Sequence, residues 1–326
     1  MSENINLVPP TRDTDKKALR TALVVSSTRK GSLYNLTKSD RENGYYFLFE
    51  GIEVPFKAVL QSNSKIDGIV GIAFGTAKEC PSKALGLCQV PQGATCYALS
   101  GERRATKRDN INGSKGMDSY FKGKLFSHFW DSFAESPQVR NDFIEYLYAL
   151  GVDTIRFNLR GDFRDSTDIL IIWHLAQLGF HMVGYTARDD LTGLENLGEH
   201  PNCYLNGSNR MYTNRFKVTT SIREFLEAPH TCKGSCKDCQ NCYRLRGETI
   251  TVLIHGKGAD TALNTVENRE YLENWSKTAL PWDVLRGIEW NKKGLLTNLN
   301  NQMASIPIIL RFGSHKELIK FIRGTL

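Results

Sequence analysis

Apolar positions along the chain fall into two periods. Short runs rich in β-branched or aromatic residues, bounded by turn residues, occur at Leu23–Ser26, Tyr45–Glu50 and Gly68–Phe74, and each predicts a strand. From Met117 to Ala149 the spacing becomes helical: Phe121, Leu125, Phe129 and Phe133 recur, Pro137 interrupts, and Phe143 and Leu147 resume, predicting two consecutive helices. Asp153–Asn158 then alternates like a strand, Ser166–Leu178 predicts a helix containing Trp173, and His181–Tyr185 predicts the next strand. Strand, helix, strand with short connections is a βαβ unit, which implies parallel pairing. Glu248–His255 and Ile306–Phe312 predict further strands, and Ser314–Phe321 a closing helix.

These elements predict an α/β protein, either a TIM-like (β/α) barrel or a related open sheet, with irregular insertions. Residues 1–18 are polar, carry Pro9–Pro10 and predict a flexible N-terminal arm. Residues 19–326 predict a single α/β catalytic domain with a metal-binding insertion around 230–256. The hydrophobic content of 40% over 326 residues suffices for one large core.

Charge adds a partner class. Lys and Arg outnumber Asp and Glu by 42 to 35, a net +7, and basic residues recur in groups such as Arg103, Arg104, Lys107 and Arg108. That balance fits a polyanion, with DNA the first candidate. The longest apolar stretch, Ile169–Phe180, is interrupted by His174 and Gln177 and is too short to span a bilayer, so no membrane partner is expected. A homo-oligomer is left open.

Eight cysteines without a charged-then-apolar leader point to the cytoplasm, where clustered thiols read as metal ligands. The run HTCKGSCKDCQNCYR places Cys232, Cys236, Cys239 and Cys242 at x3, x2 and x2 spacing, and His255 ends a later predicted strand. Zinc would take Cys236, Cys239 and Cys242 with His255 or Cys232 in a closed structural site. An iron–sulfur cluster is the rival, because closely spaced cysteines also hold clusters. Cys232, Cys236 and Cys239 form C-x3-C-x2-C, the spacing of radical S-adenosylmethionine enzymes, in which the triad follows the first barrel strand; here it lies past two-thirds of the chain. Cys80, Cys88 and Cys96 are compatible with a second metal site, and Cys203 stands alone.

The segment IRFNLRGDFRD sets Asn158, Arg160, Asp162 and Asp165 directly after a predicted strand, at the end where α/β barrels build active sites. Asp162, preceded by Gly161, is the first candidate nucleophile or general base. Either Asp162 or Asp165 also suits a cap on the following helix. The next strand ends in GYTARDD, so Tyr185, Thr186, Arg188, Asp189 and Asp190 are expected beside them. Asp162, Asp189 and Asp165 are thus the catalytic candidates, and Asn158, Arg160, Tyr185, Arg103 and Arg104 the substrate-binding ones.

Taken in order, CPSKALGLCQVPQGATCYA, IRFNLRGDF, VGYTAR, SCKDCQNCY and VLIH resemble the phage protein family called gene product 88, over roughly Phe74 to His255. The resemblance implies a phage origin and hence a host cytoplasm. Three clustered cysteines followed by a histidine, in a predicted α/β barrel with strand-end aspartates, are also similar to the guanine transglycosylases of tRNA and of phage DNA. That similarity implies an exchange of guanine in DNA for a 7-deazaguanine base, with an aspartate attacking the anomeric carbon of a flipped-out nucleotide and a structural zinc at Cys236, Cys239, Cys242 and His255. Two other readings stand beside it: a radical S-adenosylmethionine or other iron–sulfur enzyme acting on nucleotides or nucleic acid, and a nonenzymatic zinc-dependent nucleic-acid-binding protein.

Overall fold

The structure is a computed structural model that describes residues 35–61, 69–87, 119–232 and 239–254, with positions 262–263, 265–268, 270–271 and 274. The N-terminal arm, the strands expected at Leu23–Ser26 and Ile306–Phe312 and the closing helix lie outside the described residues.

Helix α1 (Lys38–Glu42) starts on a capping box between Thr37 and Asp40. An antiparallel hairpin of β1 (Tyr46–Phe49) and β2 (Ile52–Pro55) follows, and Phe47 and Phe49 point inward from it. Next come β3 (Val70–Gly71), the single-turn α2 (Pro81–Ala84), α3 (Ser119–Glu135) and α4 (Pro137–Ala149). The break between α3 and α4 is a local signal: Ser136 accepts from the Val139 N–H as N-cap, and Pro137 occupies the first turn, where its missing donor costs nothing. The chain then runs through β4 (Thr154–Arg156), α5 (Ser166–Gln177), β5 (His181–Thr186), α6 (Leu194–Glu199), β6 (Cys203–Ser208), β7 (Asn214–Thr219), α7 (Ile222–Glu227) and β8 (Thr249–Leu253).

Strands β3 to β8 form one parallel six-stranded sheet whose spatial order is the sequence order. The protein is therefore mixed α/β, and among the described residues the sheet shows no order reversal of the doubly wound kind. Both edges carry a further pairing, Gln61 antiparallel to Gly71 on β3 and Thr231 parallel to Thr251 on β8. Between β6 and β7 the helix usual in a parallel connection is replaced by the short segment Asn209–Thr213. Register makes this feasible: Asn206 lies beside Asn214, so β7 is staggered along β6 and the chain steps back only briefly. Gly207 sits at this turn, where a Cβ would come within 2.5 Å of the Arg210 carbonyl oxygen.

Alternation gives the sheet two faces. Ile155, Met182, Cys203 and Leu205 face the helices and join Phe129, Trp130, Ile172, Leu175 and Leu197 in the main core. The hairpin packs into the same core through Phe47 and Phe56, whose rings lie 4.9 and 5.9 Å from that of Phe129. Val183 and Ile250 point to the opposite face, where Cys242 covers them. Gly184 marks tight packing on the helix side, since a Cβ there would fall 2.2 Å from the Phe157 ring.

Candidate functional site

Three loops meet beyond the C-terminal ends of β3, β4 and β5, and Asp162 is their common acceptor. Its carboxylate is buried, 6% exposed. Oδ1 accepts from Asn158 Nδ2 at 3.1 Å, the Phe163 N–H at 2.9 Å and Thr186 Oγ1 at 2.7 Å. Oδ2 accepts from Ser82 Oγ at 2.6 Å and the Ala187 N–H at 2.8 Å. Burial pushes the carboxyl's pKa up, against the pull of Ser82, Ala187, Thr186 and Phe163. Gly161 lets the loop turn: its φ is +70°, and a Cβ would sit 3.1 Å from the Thr76 carbonyl oxygen. Gly123 on α3 admits the same β3 loop, which would otherwise strike it through Thr76 and Glu79.

Two features give this network a chemical face. Asn158, held at φ +51°, donates to Asp162 and to the Tyr185 carbonyl, while its own Oδ1 is buried without a hydrogen-bond partner. An unmet buried acceptor costs about 1–3 kcal/mol, so this atom calls for a donor. Arg188, 5% exposed, clamps Asp190 with Nε and Nη2, both at 2.6 Å, and donates from Nη1 to the Phe163 carbonyl at 2.8 Å. Burial lowers the Arg188 pKa, and the Asp190 hydrogen bonds with the charges of Asp190, Asp162 and Cys80 more than restore it. Cys80 thus lies within electrostatic reach of a buried guanidinium, and it is itself buried at the start of α2, in the loop after β3, the first strand of the parallel sheet among the described residues.

The remaining sequence candidates separate. Asp165 is exposed and caps α5 by accepting from the Thr167 N–H at 2.8 Å. Asp189 is exposed and paired with Arg210. Arg160 is half-buried. Tyr185, expected beside Asp162, instead turns its ring to the open face, edge-on to Phe216 at 4.7 Å with the Arg156 guanidinium 5.1 Å from its centroid. A side chain one position before Thr186 on a strand must point the other way. Arg103 and Arg104 lie outside the described residues.

The cysteine-rich segment lies on that open face. Cys232 leaves the edge of β8, its N–H donating to the Thr251 carbonyl at 2.9 Å. Cys239, Gln240 and Cys242 roof a pocket whose floor includes Arg156, Val183 and Tyr185, and Cys232 also lines it. The two arms are tied where Asn241 Nδ2 donates to the Thr231 carbonyl at 3.4 Å. Asn206 Nδ2 donates to Cys242 O at 3.0 Å and to Gly184 O at 3.1 Å, fixing the roof to the sheet. Thiolates suit zinc or an iron–sulfur cluster. Among the described residues no three His, Cys, Asp or Glu side chains stand together as a metal-binding group, and no disulfide joins the described cysteines. Cys236, His255, Cys88 and Cys96 lie outside the described residues.

Ser82, Arg156 and Asn206 escaped sequence reasoning. Ser82 is 80 residues from Asp162 in the chain. Arg156 and Asn206 each sit within a strand where a polar residue reads as solvent-facing. No family model, curated protein or solved structure matches the chain. No helix among the described residues is long and apolar enough to cross a membrane.

Proposed function

We propose that the chain is an iron–sulfur enzyme of the radical S-adenosylmethionine type that acts on a nucleotide or nucleic acid. The observation that carries this reading is the position of Cys80 in the parallel sheet. An unreversed run of parallel strands is the connectivity of a (β/α) barrel wall, open or closed. In the radical S-adenosylmethionine class the cysteine triad follows the first barrel strand. Here the loop after β3, the first strand of the run among the described residues, carries Cys80, and the sequence continues with Cys88 and Cys96. The assignment therefore moves on position alone from Cys232, Cys236 and Cys239 to this earlier group, whose x7 and x7 spacing departs from C-x3-C-x2-C.

Cys80, Cys88 and Cys96 would hold the cluster, which when bound supplies an electron for radical cleavage of S-adenosylmethionine. The chain's own residues prepare the place. Asp162 ties the three loops and fixes Asn158, whose unmet Oδ1 accepts an N–H or O–H from a bound ligand. Arg188 offers a buried cation at the mouth of these loops. The net charge of +7 favours a phosphate-bearing substrate.

The guanine exchange reaction asks more of this geometry. Asp162 would have to shed its donors before attacking an anomeric carbon, and Asp189 would have to leave Arg210. The deciding experiment is purification without oxygen, with iron and sulfide measured per chain, followed by an S-adenosylmethionine cleavage assay under reduction. The wild type is expected to carry iron and to cleave S-adenosylmethionine, and Cys80→Ala to lose both. A wild type without iron that incorporates labelled guanine into DNA would overturn the proposal.

A further inference from the structure

We infer that Asn158 is the specificity-determining residue of the strand-end site: its side-chain carbonyl takes one N–H from the edge of a nucleobase and so selects among bases. The inference rests on the reading of the substrate as a nucleotide, and not on the iron chemistry.

The amide can lie only one way. Asn158 Nδ2 donates to Asp162 Oδ1 at 3.1 Å and to the Tyr185 carbonyl at 3.0 Å, and a flipped amide would set oxygen against a carbonyl that can only accept. Oδ1 is therefore the atom left over, and it is buried without a partner in a residue 6% exposed. The backbone holds it there under strain. Asn158 keeps φ +51° while the Phe157 N–H donates to the Val183 carbonyl at 2.9 Å and the Leu159 N–H to the Ile72 carbonyl at 3.1 Å, which pins it from both sides. Strain of this kind persists only where the surroundings impose it, and it collects at ligand sites.

Chemistry narrows the ligand. An asparagine with both halves of its amide available reads adenine through a pair of hydrogen bonds; with Nδ2 committed, Asn158 offers a single acceptor and takes a single donor. A ligand oxygen in that place would be repelled and leave Oδ1 unpaired. A cationic donor would meet the charge of buried Arg188, which Asp162 already feels, so a neutral N–H suits the position best. Planar surface adjoins it. Arg156, just before Asn158 in the chain, sets its guanidinium 5.1 Å from the ring centroid of Tyr185, the residue whose carbonyl holds Asn158, and both line the pocket over Val183. Such a pair supports the face of a base while the acceptor reads its edge.

The test is a thermodynamic cycle between protein and ligand. Full-length wild type and Asn158→Gly, which accepts positive φ without the amide, are titrated with adenosine, guanosine, cytidine and uridine monophosphates, then with analogues of the tightest one that each lack one N–H donor. The wild type is expected to prefer one base and to lose about tenfold or more in affinity when one particular donor is deleted; Asn158→Gly is expected to bind parent and analogue alike. Equal losses in the two proteins, no loss in the wild type for any deleted donor, or no binding of any of the four would overturn the inference. Displacement of the base by S-adenosylmethionine would give the acceptor to the cofactor and overturn it too. Should Asn158→Gly fail to fold, the wild type decides: one donor whose deletion costs about tenfold upholds the inference, and tight binding of every analogue overturns it. The titrations need neither reductant nor turnover, so a chain without iron would sink the iron–sulfur reading alone.

Discussion

Two buried polar networks brace the parallel sheet, and they are built with opposite chemistry. Beyond the strand ends, a single carboxyl group, Asp162, gathers donors from three loops. On the open face, a neutral amide, Asn206, distributes its N–H groups to the carbonyls of Gly184, Tyr204 and Cys242. A hub that only collects donors leaves them stranded when lost; an amide hub that mainly donates leaves mostly carbonyls behind, which is less costly. The strand-end network is therefore the stiffer of the two, suited to holding reactive groups in fixed relation.

The largest effect should come from removing the Asp162 carboxyl group. Asp162→Ala strands two backbone N–H groups and three side-chain donors, and is expected to cost about 3–5 kcal/mol in urea unfolding. Asn206→Ala should cost less, about 1–3 kcal/mol, because it strands carbonyls rather than N–H groups, and the Asn214 amide that it releases keeps its bond to the Leu245 carbonyl. A larger loss for Asn206→Ala than for Asp162→Ala would reverse the comparison. Gly161→Ala places a Cβ at positive φ against the Thr76 carbonyl, and about 1–2 kcal/mol is expected.

Asp165→Ala removes a helix cap and should cost about 1 kcal/mol with turnover unchanged. Loss of turnover at wild-type stability would restore Asp165 as a catalytic group. The smallest effect concerns Asp190, whose carboxyl the Arg188 hydrogen bonds hold below its usual range. A depressed carboxyl stabilises the fold above its unfolded pKa, and that contribution is lost as pH falls through about 4 and below. Because Asp190 is half-exposed, wild type and Asp190→Asn should differ by less than about 1 kcal/mol at pH 7 and converge near pH 3.

Much of the fold was legible where periodicity and local capping agree. The break at Ser136–Pro137, the βαβ unit from Thr154 to Thr186 and the strand at Thr249–Leu253 appear where the apolar pattern put them. Strands β2, β6 and β7 were not legible. Asn206 and Asn214 occupy buried strand positions because their amides serve nearby backbone, and a polar residue in a strand reads as a surface one. The short β6–β7 connection hid the second strand further, since a parallel neighbour is expected only after a helix.

For the site, residue types and spacings alone singled out the strand-end carboxylates and the clustered thiols as candidates, because caps, turns and closely spaced cysteines leave local marks. Tertiary structure decided how they are used. Asp162 became a hub because Ser82, Thr186 and Ala187 converge on it, Tyr185 turned to the opposite face from Thr186, and Cys80 came within electrostatic reach of Arg188. Contacts across 80 residues, as between Ser82 and Asp162, depend on strand order, and strand order is set by how whole elements bury their faces against one another.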